Sequence, residues 1–168
     1  MLLNTERLLL RPFQLSDIPA AYEMNLDPLV SKYTGDGGVL SEAELSKRIR
    51  EDVLGDYQKY GYGRLVVELK GVDSFIGFAG LKYLSDLDAV ELGYRFKPQY
   101  WGKGIATEAG MACVQYGWEE LKLATILGFV LPANLGSVRV LEKLNFQFDR
   151  ELREEGLCFH QYLLKKNH

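Results

Sequence analysis

The segment Glu91-Leu-Gly-Tyr-Arg-Phe-Lys-Pro-Gln-Tyr-Trp-Gly-Lys-Gly-Ile-Ala-Thr-Glu-Ala109 constrains this chain more than any other. It reads as a buried strand, a short glycine-bearing loop, and a helix that opens near Ile105. The first amides of a helix have no intrahelical acceptor and lie at the positive end of its dipole. Gly102 and Gly104 let the main chain turn sharply and approach a ligand closely. Such a loop either cradles phosphate oxygens, which points to a phosphorylated cofactor, or is simply a tight turn before a helix, and the glycine pattern alone does not choose between them. The pattern is neither a dinucleotide fingerprint, since a third glycine is missing, nor a P-loop, since no Gly-Lys-Ser/Thr follows. Lys103 adds charge to this cradle or is a solvated loop lysine. Spacing favours the second.

The flanking sequence supplies the rest of one mixed α/β domain over residues 1–168. Thr5 to Phe13 reads as a first strand, with Pro12 confining it to an edge or marking its end. Ser16 and Asp17 open a short helix through Tyr22 and Met24, and Asp36-Gly37-Gly38 reads as a loop. Ser41-Glu-Ala-Glu44 is a capping box, and Leu45, Ile49 and Val53 carry the following helix to about Gln58. Arg64–Lys70, Ser74–Tyr83 and Ala89–Phe96 form an antiparallel meander. The helix after the glycine loop extends to about Leu121. Its small residues Ala106, Gly110, Cys113 and Gly117 share one face, which permits close packing. Ala124–Leu131 is apolar apart from Thr125, as a strand buried on both sides should be. A helix over 135–144 and a hairpin of 146–150 with 157–164 complete the order β-α-α-β-β-β-α-β-α-β-β.

Charge and composition exclude several function classes. A net charge of −3 gives no support for bulk binding of nucleic acid or an anionic membrane. Two cysteines and two histidines without ligand-like spacing predict no metal site, and Cys113 and Cys158 make a poor disulfide framework. The apolar run Leu8-Leu-Leu10 is bracketed by Arg7 and Arg11, which suits neither a signal peptide nor a membrane span. A cytoplasmic location is expected.

Within the central unit, Val90, Leu92 and Tyr94 alternate with Glu91, Gly93 and Arg95, so Glu91 projects from the face opposite the apolar set. Gly93 leaves space beside its carboxylate. A strand-borne carboxylate near a phosphate cradle suits a general base, while a solvent-facing or salt-bridged glutamate is the plainer alternative. Asn134 and Ser137 follow the apolar strand, and capping the next helix alone would explain their types.

These residues together resemble the GNAT N-acetyltransferases. The likeness rests on Glu-Leu-Gly-Tyr94, on Tyr100-Trp-Gly-Lys-Gly-Ile-Ala-Thr-Glu-Ala109, and on Asn134-x-x-Ser137-x-Arg-Val-Leu-Glu-Lys-Leu-Asn-Phe146. With Thr5-Glu-Arg-Leu-Leu-Leu-Arg-Pro12 it is most similar to the RimJ/RimL-like branch, which acetylates N-terminal amines of ribosomal proteins. Asn145 departs from the family's usual glycine, and Asn is the next-best residue for a left-handed helix end. The resemblance implies an α+β fold with a mixed, mostly antiparallel sheet of about seven strands flanked by helices. Two of the strands splay apart at an acetyl-CoA site.

By the same resemblance, the amides of Gly102 to Ala106 hold the coenzyme's diphosphate, with Trp101, Lys103, Ile105 and Thr107 completing the loop. Pantetheine pairs with the main chain of Tyr94, Arg95 and Phe96, and an amide near Tyr94 supports the oxyanion. Glu91 removes the proton of a primary amine, which attacks the thioester directly. Asn134 and Ser137 contact the cofactor or the acceptor side, and Ser137 is also the candidate proton donor to the thiolate. A tyrosine acid is known in the superfamily, but none of the ten tyrosines is singled out by sequence. Cys113 and His160 are read as structural. Tyr33, Asp36, Tyr57 and Tyr60 are candidates for the acceptor cleft or for the core. Acetyl-CoA and an amine are the expected partners, no metal is expected, and a homodimer is compatible with the resemblance. A non-catalytic acyl-CoA-binding module and a longer acyl donor are the rival readings.

Overall fold

The computed structural model describes residues 1–33 and 40–167. The expected Asp36-Gly37-Gly38 loop, and Asp36 as a cleft residue, lie outside the described residues. Eight strands form one open sheet among those described: β1 (Leu3–Asn4), β2 (Leu8–Pro12), β3 (Arg64–Leu69), β4 (Asp73–Leu84), β5 (Ala89–Phe96), β6 (Thr125–Val130), β7 (Gln147–Glu154) and β8 (Leu157–Lys165). Their order across the sheet is β1-β2-β3-β4-β5-β6-β8-β7. Every neighbouring pair is antiparallel except β5 with β6.

The eighth strand is a two-residue addition at the edge. The run expected from Thr5 breaks because the Thr5 hydroxyl accepts from the Leu8 amide at 3.0 Å, closing a local turn. Leu3 then pairs with Leu10, and Asn4 with Leu9. Pro12 sits at the end of β2, opposite Leu65 on one side and beyond the reach of β1 on the other. That is where a residue without an N–H can close a strand.

Helices cover both faces. On one lie α1 (Ile18–Leu26), α2 (Pro28–Ser31), α3 (Glu42–Arg48) and α4 (Leu54–Tyr60). Their apolar residues Ile18, Ala21, Met24 and Leu45, with Ile49 just after α3, pack with Val66 and Phe75 of the sheet. Ser41 caps α3 by accepting from the Glu44 amide at 3.1 Å, while the Glu44 carboxylate accepts from the Ser41 hydroxyl instead of an amide. The expected single helix is interrupted by a π-helical turn over Ile49–Val53. This wider turn rotates α4 relative to α3, so Leu45 and Ile49 are buried while Val53 is only partly covered.

On the other face, α5 (Ile105–Glu119) and α6 (Leu135–Lys143) enclose the larger core. Ile105, Ala109 and Cys113 meet Leu81, Leu92, Phe96 and Ile126 there. A methyl group at Gly110 would lie 2.7 Å from Leu144 Cδ1, and one at Gly117 3.0 Å from Leu81 Cδ1. The small-residue face of α5 therefore sets the spacing between helix and sheet. The end of α6 behaves as Asn145 predicts. Asn145 takes φ 71°, its amide donates to Glu142 O and the Phe146 amide to Leu141 O, both at 2.9 Å. This is a Schellman closure, sealed by contact between the buried Leu141 and Phe146.

Only one residue pair, Glu91 with Leu127, holds the parallel register between β5 and β6. Beyond it β5 continues to Phe96 paired with β4 alone, while β6 continues to Val130 paired with β8. The strands diverge, and the resulting cleft is the candidate site.

Candidate active site

The cleft begins at the glycine loop. Gly102 and Gly104 have φ of 73° and 75°, the left-handed region that disfavours any residue with a Cβ. The first amide of α5 to reach a preceding carbonyl is that of Glu108, on Gly104 O at 3.0 Å. The amides of Gly102 through Thr107 precede it and, among the described residues, are open, the condition for binding an anion. No described atom lies within 4 Å of a Cβ built on Gly102, so the approach is clear. The loop is braced from behind: Arg7 Nη1 donates to Lys103 O at 3.0 Å, and Arg7 Nε donates to Glu108 Oε1 at 2.7 Å. Thr5 Oγ1 and the Arg7 amide both donate to Glu108 Oε2. Partial burial works against the Glu108 carboxylate, but these hydrogen bonds outweigh it and hold its pKa below 4.5.

Two connected cavities run from this loop along the gap between β5 and β6. One, of about 400 Å³, is lined by Trp101, Gly102, Ala106 and the start of α6. The other, of about 330 Å³, is lined by Arg64, Glu91, Phe129 and Phe159. Tyr33, Tyr94, Arg95, Asn134 and Ser137 line both. The loop and Glu91 therefore open onto one continuous cleft, a suitable size for a bound small molecule with a tail.

Glu91 lies on the face expected, in the inner cavity, but the space left by Gly93 is not empty. Arg64 fills it. Arg64 Nη2 donates to Glu91 Oε1 at 2.7 Å, and Nη1 donates to Gly80 O at 2.6 Å. A Cβ on Gly93 would lie 2.5 Å from Arg64 Nη2 and 2.6 Å from its Cζ. The glycine is required by a guanidinium that spans β3 to β5. The sequence offers a salt-bridged Glu91 as the plainer alternative, without Arg64 as its partner. Gly80 and Gly93 face each other in register, and that paired absence of side chains is the one signal of the guanidinium between them.

Tyr94 emerges on the opposite face. Its hydroxyl lies 2.9 Å from Ser137 Oγ and donates to Ser137 O at 3.2 Å. Burial pushes the phenol up to about 12, against a smaller lowering by Ser137. The hydroxyl is thus protonated throughout neutral pH and available as a donor. Asn134 caps α6, accepting from the Ser137 amide at 3.3 Å, and still lines both cavities. The cap links this side of the cleft to Tyr94 through Ser137. Tyr94 is thus a tyrosine whose hydroxyl is held beside Ser137 at the cleft, a placement no local pattern in the sequence indicated.

Other expected residues divide. Arg95 lines the cleft, bonds Asn25 Oδ1 at 2.9 Å and lies over the Phe78 ring. Phe96 has a buried side chain, and its carbonyl accepts from Trp101 Nε1 at 2.8 Å, which fixes the indole over the cleft mouth. Ile105 is buried in the core, leaving only its amide for the cradle. Lys103 and Thr107 line neither cavity. Tyr33 lines both, whereas the Tyr57 hydroxyl bonds the Phe13 amide and Arg64 O and Tyr60 packs on Tyr62 and Tyr83. Cys113 is buried and its thiol is pushed up to about 12 by burial, which suits packing and not nucleophilic attack.

The geometry agrees with the comparisons with known proteins. Residues 7–147 match the family model described as an acetyltransferase (GNAT) domain. The N-acetyltransferase YnaD of Bacillus subtilis, itself uncharacterised, is 32% identical over 157 residues, covering 93% of this chain and 85% of YnaD. Spermidine N(1)-acetyltransferase of Escherichia coli is 27% identical over 91% of this chain and 80% of its own. RimL, a ribosomal L7/L12 alpha-N-protein acetyltransferase solved in complex with coenzyme A, superimposes with a TM-score of 0.81 over 98% of both chains. Its 17% identity shows a common fold only.

Proposed function

The chain belongs to the GNAT acetyltransferase family, and on that premise we propose that it moves the acetyl group of acetyl-CoA directly onto a primary amine, with Glu91 as the base. The observation that carries this is the cleft between β5 and β6, whose outer cavity is lined by Gly102 and Ala106 of the open-amide loop and whose adjoining inner cavity is lined by Glu91. Those amides and the helix dipole hold the diphosphate. The Tyr94 main chain, unpaired on its β6 side, holds pantetheine and supports the oxyanion. An amine must be neutral to attack: an α-amine has a pKa near 7.7–8.0, and a lysine-type amine one near 10.4. Glu91 receives the amine proton through water as the new C–N bond forms, a contribution of about 10²–10⁴-fold. The C–S bond then breaks. We assign the hydrogen bond to the departing thiolate to the pair of hydroxyls of Tyr94 and Ser137, 2.9 Å apart.

Among acceptors, we favour a peptide N-terminus of the RimJ/RimL type over a polyamine. Among the described residues the cleft wall offers no carboxylate beyond Glu91, which is already paired with Arg64. A polycation therefore gains little there, and an α-amine requires less deprotonation. The test is thiol release from acetyl-CoA with peptides, polyamines and aminoglycosides as acceptors, with Glu91→Gln as control. We expect peptide turnover to fall by about 10²-fold or more in the variant while acetyl-CoA affinity stays unchanged. An unaltered rate removes Glu91 from the mechanism. Acetyl-CoA binding without turnover on any acceptor favours a non-catalytic binding module, and faster turnover with succinyl-CoA favours another acyl donor.

A further inference from the structure

The outer hairpin carries a set of donor groups that acetyl transfer does not use. Its turn residues Glu155 and Gly156 have φ of 50° and 79°, the two-residue turn that locks register between β7 and β8. Glu151 is paired with His160, and Cys158 lies two residues before His160 on the same strand. The three side chains therefore emerge on one face. A Glu151 carboxylate oxygen, Cys158 Sγ and a His160 ring nitrogen all lie within 4.8 Å of one another. The thiol already donates to Glu151 Oε1 at 2.7 Å, and Phe148 meets the His160 ring edge-on at 4.9 Å. Phe159, between the two β8 donors, points the other way and lines the inner cavity.

We propose that Glu151, Cys158 and His160 form a three-donor site for a borderline-soft divalent cation, zinc in the first place, with a fourth position left to water. Thiolate, imidazole and carboxylate together suit zinc better than magnesium or calcium, which take oxygen donors. Tetrahedral zinc with bonds of about 2.0–2.3 Å places its donors about 3.3–3.8 Å apart. The present spread therefore closes by about 1 Å, within the range of side-chain rotation for three residues at a solvent-facing hairpin. On binding, the S–H bond of Cys158 breaks, its proton leaves to water and sulfur bonds the metal. Glu151 exchanges its hydrogen bond from the thiol for the metal. Arg153 Nη2, 3.8 Å from Glu151 Oε1 and largely exposed, is free to move aside. An occupied site staples the two strands behind Phe159 and so fixes one wall of the acceptor cleft.

The experiment is a titration of the metal-free, reduced protein with Co²⁺, followed by displacement with Zn²⁺. A thiolate-to-cobalt absorption band should saturate at one equivalent and vanish on adding zinc. Cys158→Ser should abolish the band, and His160→Ala and Glu151→Gln should each weaken binding by about tenfold or more. Circular dichroism of each variant checks folding, and a folded Cys158→Ser that keeps the band overturns the proposal. So does a wild-type protein without the band, or His160→Ala and Glu151→Gln variants that bind as tightly as wild type.

Discussion

Replacing Gly93 with alanine tests the link between sheet packing and the carboxylate of the site. Gly93 does not have a positive φ, so the backbone accepts alanine, and a glycine-to-alanine change in a strand ordinarily stabilises by about 0.5–1 kcal/mol. Here the new methyl would lie 2.5 Å from Arg64 Nη2, and the guanidinium must leave. Two bonds go with it, one to Glu91 and one to Gly80 O. The Arg64 and Glu91 side chains are 15% and 19% exposed, between the surface regime of about 0–1 kcal/mol and the buried one of about 3–5 kcal/mol. A net loss of about 2 kcal/mol results, or about 4–8 °C in Tm for a chain of this length. Thermal and urea unfolding of Gly93→Ala, Arg64→Ala and the double variant measure it. With Arg64 already truncated, the alanine should become neutral or stabilising. An equal cost in both backgrounds, or a Gly93→Ala protein more stable than wild type, refutes the account. Because the same change frees Glu91, kcat should fall in Gly93→Ala while acetyl-CoA affinity holds.

Alanine at Gly104 introduces left-handed strain of about 1–2 kcal/mol without a clash, the nearest atom being Arg7 Nη2 at 3.6 Å; the KM for acetyl-CoA should rise more than kcat falls. Tyr94→Phe loses a hydrogen bond worth about 1 kcal/mol and should slow turnover. Since burial raises Tyr94 from 10.0 to about 12, its contribution to stability is complete below pH 10 and lost between about pH 10 and 12; buried Tyr57 and Cys113 add losses at alkaline pH in both proteins, so the fall of Tm over this range should be smaller in Tyr94→Phe than in wild type. Glu108 runs the other way. Its pKa is held below 4.5, so its contribution is present above that pH and lost as pH falls; the Tm gap between wild type and Glu108→Gln should narrow under acid.

Local patterns carried most of the fold. The meander, the glycine loop, the apolar β6 and the left-handed Asn145 all depend on residues close in sequence, so their chemistry is readable in order. What escaped was set by register between distant segments. Arg64 reaches Glu91 across β4, and nothing near Glu91 announces it except two glycines on adjacent strands. Tyr94 and Ser137 meet because the start of α6 lies over the face of β5 that carries Val90, Leu92 and Tyr94. Cys158 and His160 lack a zinc-like spacing in sequence, and the third donor comes from across a hairpin whose register includes a shift between Phe148 and Arg150. The π turn was equally hidden, because Leu45, Ile49 and Val53 keep a four-residue rhythm through it.

A sheet whose middle is joined through one residue pair has a seam. β1 through β5 form one panel and β6 through β8 another, and beyond Glu91 and Leu127 they are held together by side-chain packing that includes α5 and α6. A coenzyme lying in that gap touches both panels and acts as a stitch. Hydrogen exchange at the amides of 92–96 and 128–130 should slow when the substrate binds, and the two panels should then melt as one. Under the proposed function, the reagent consumed at each turnover would also be a temporary part of the scaffold.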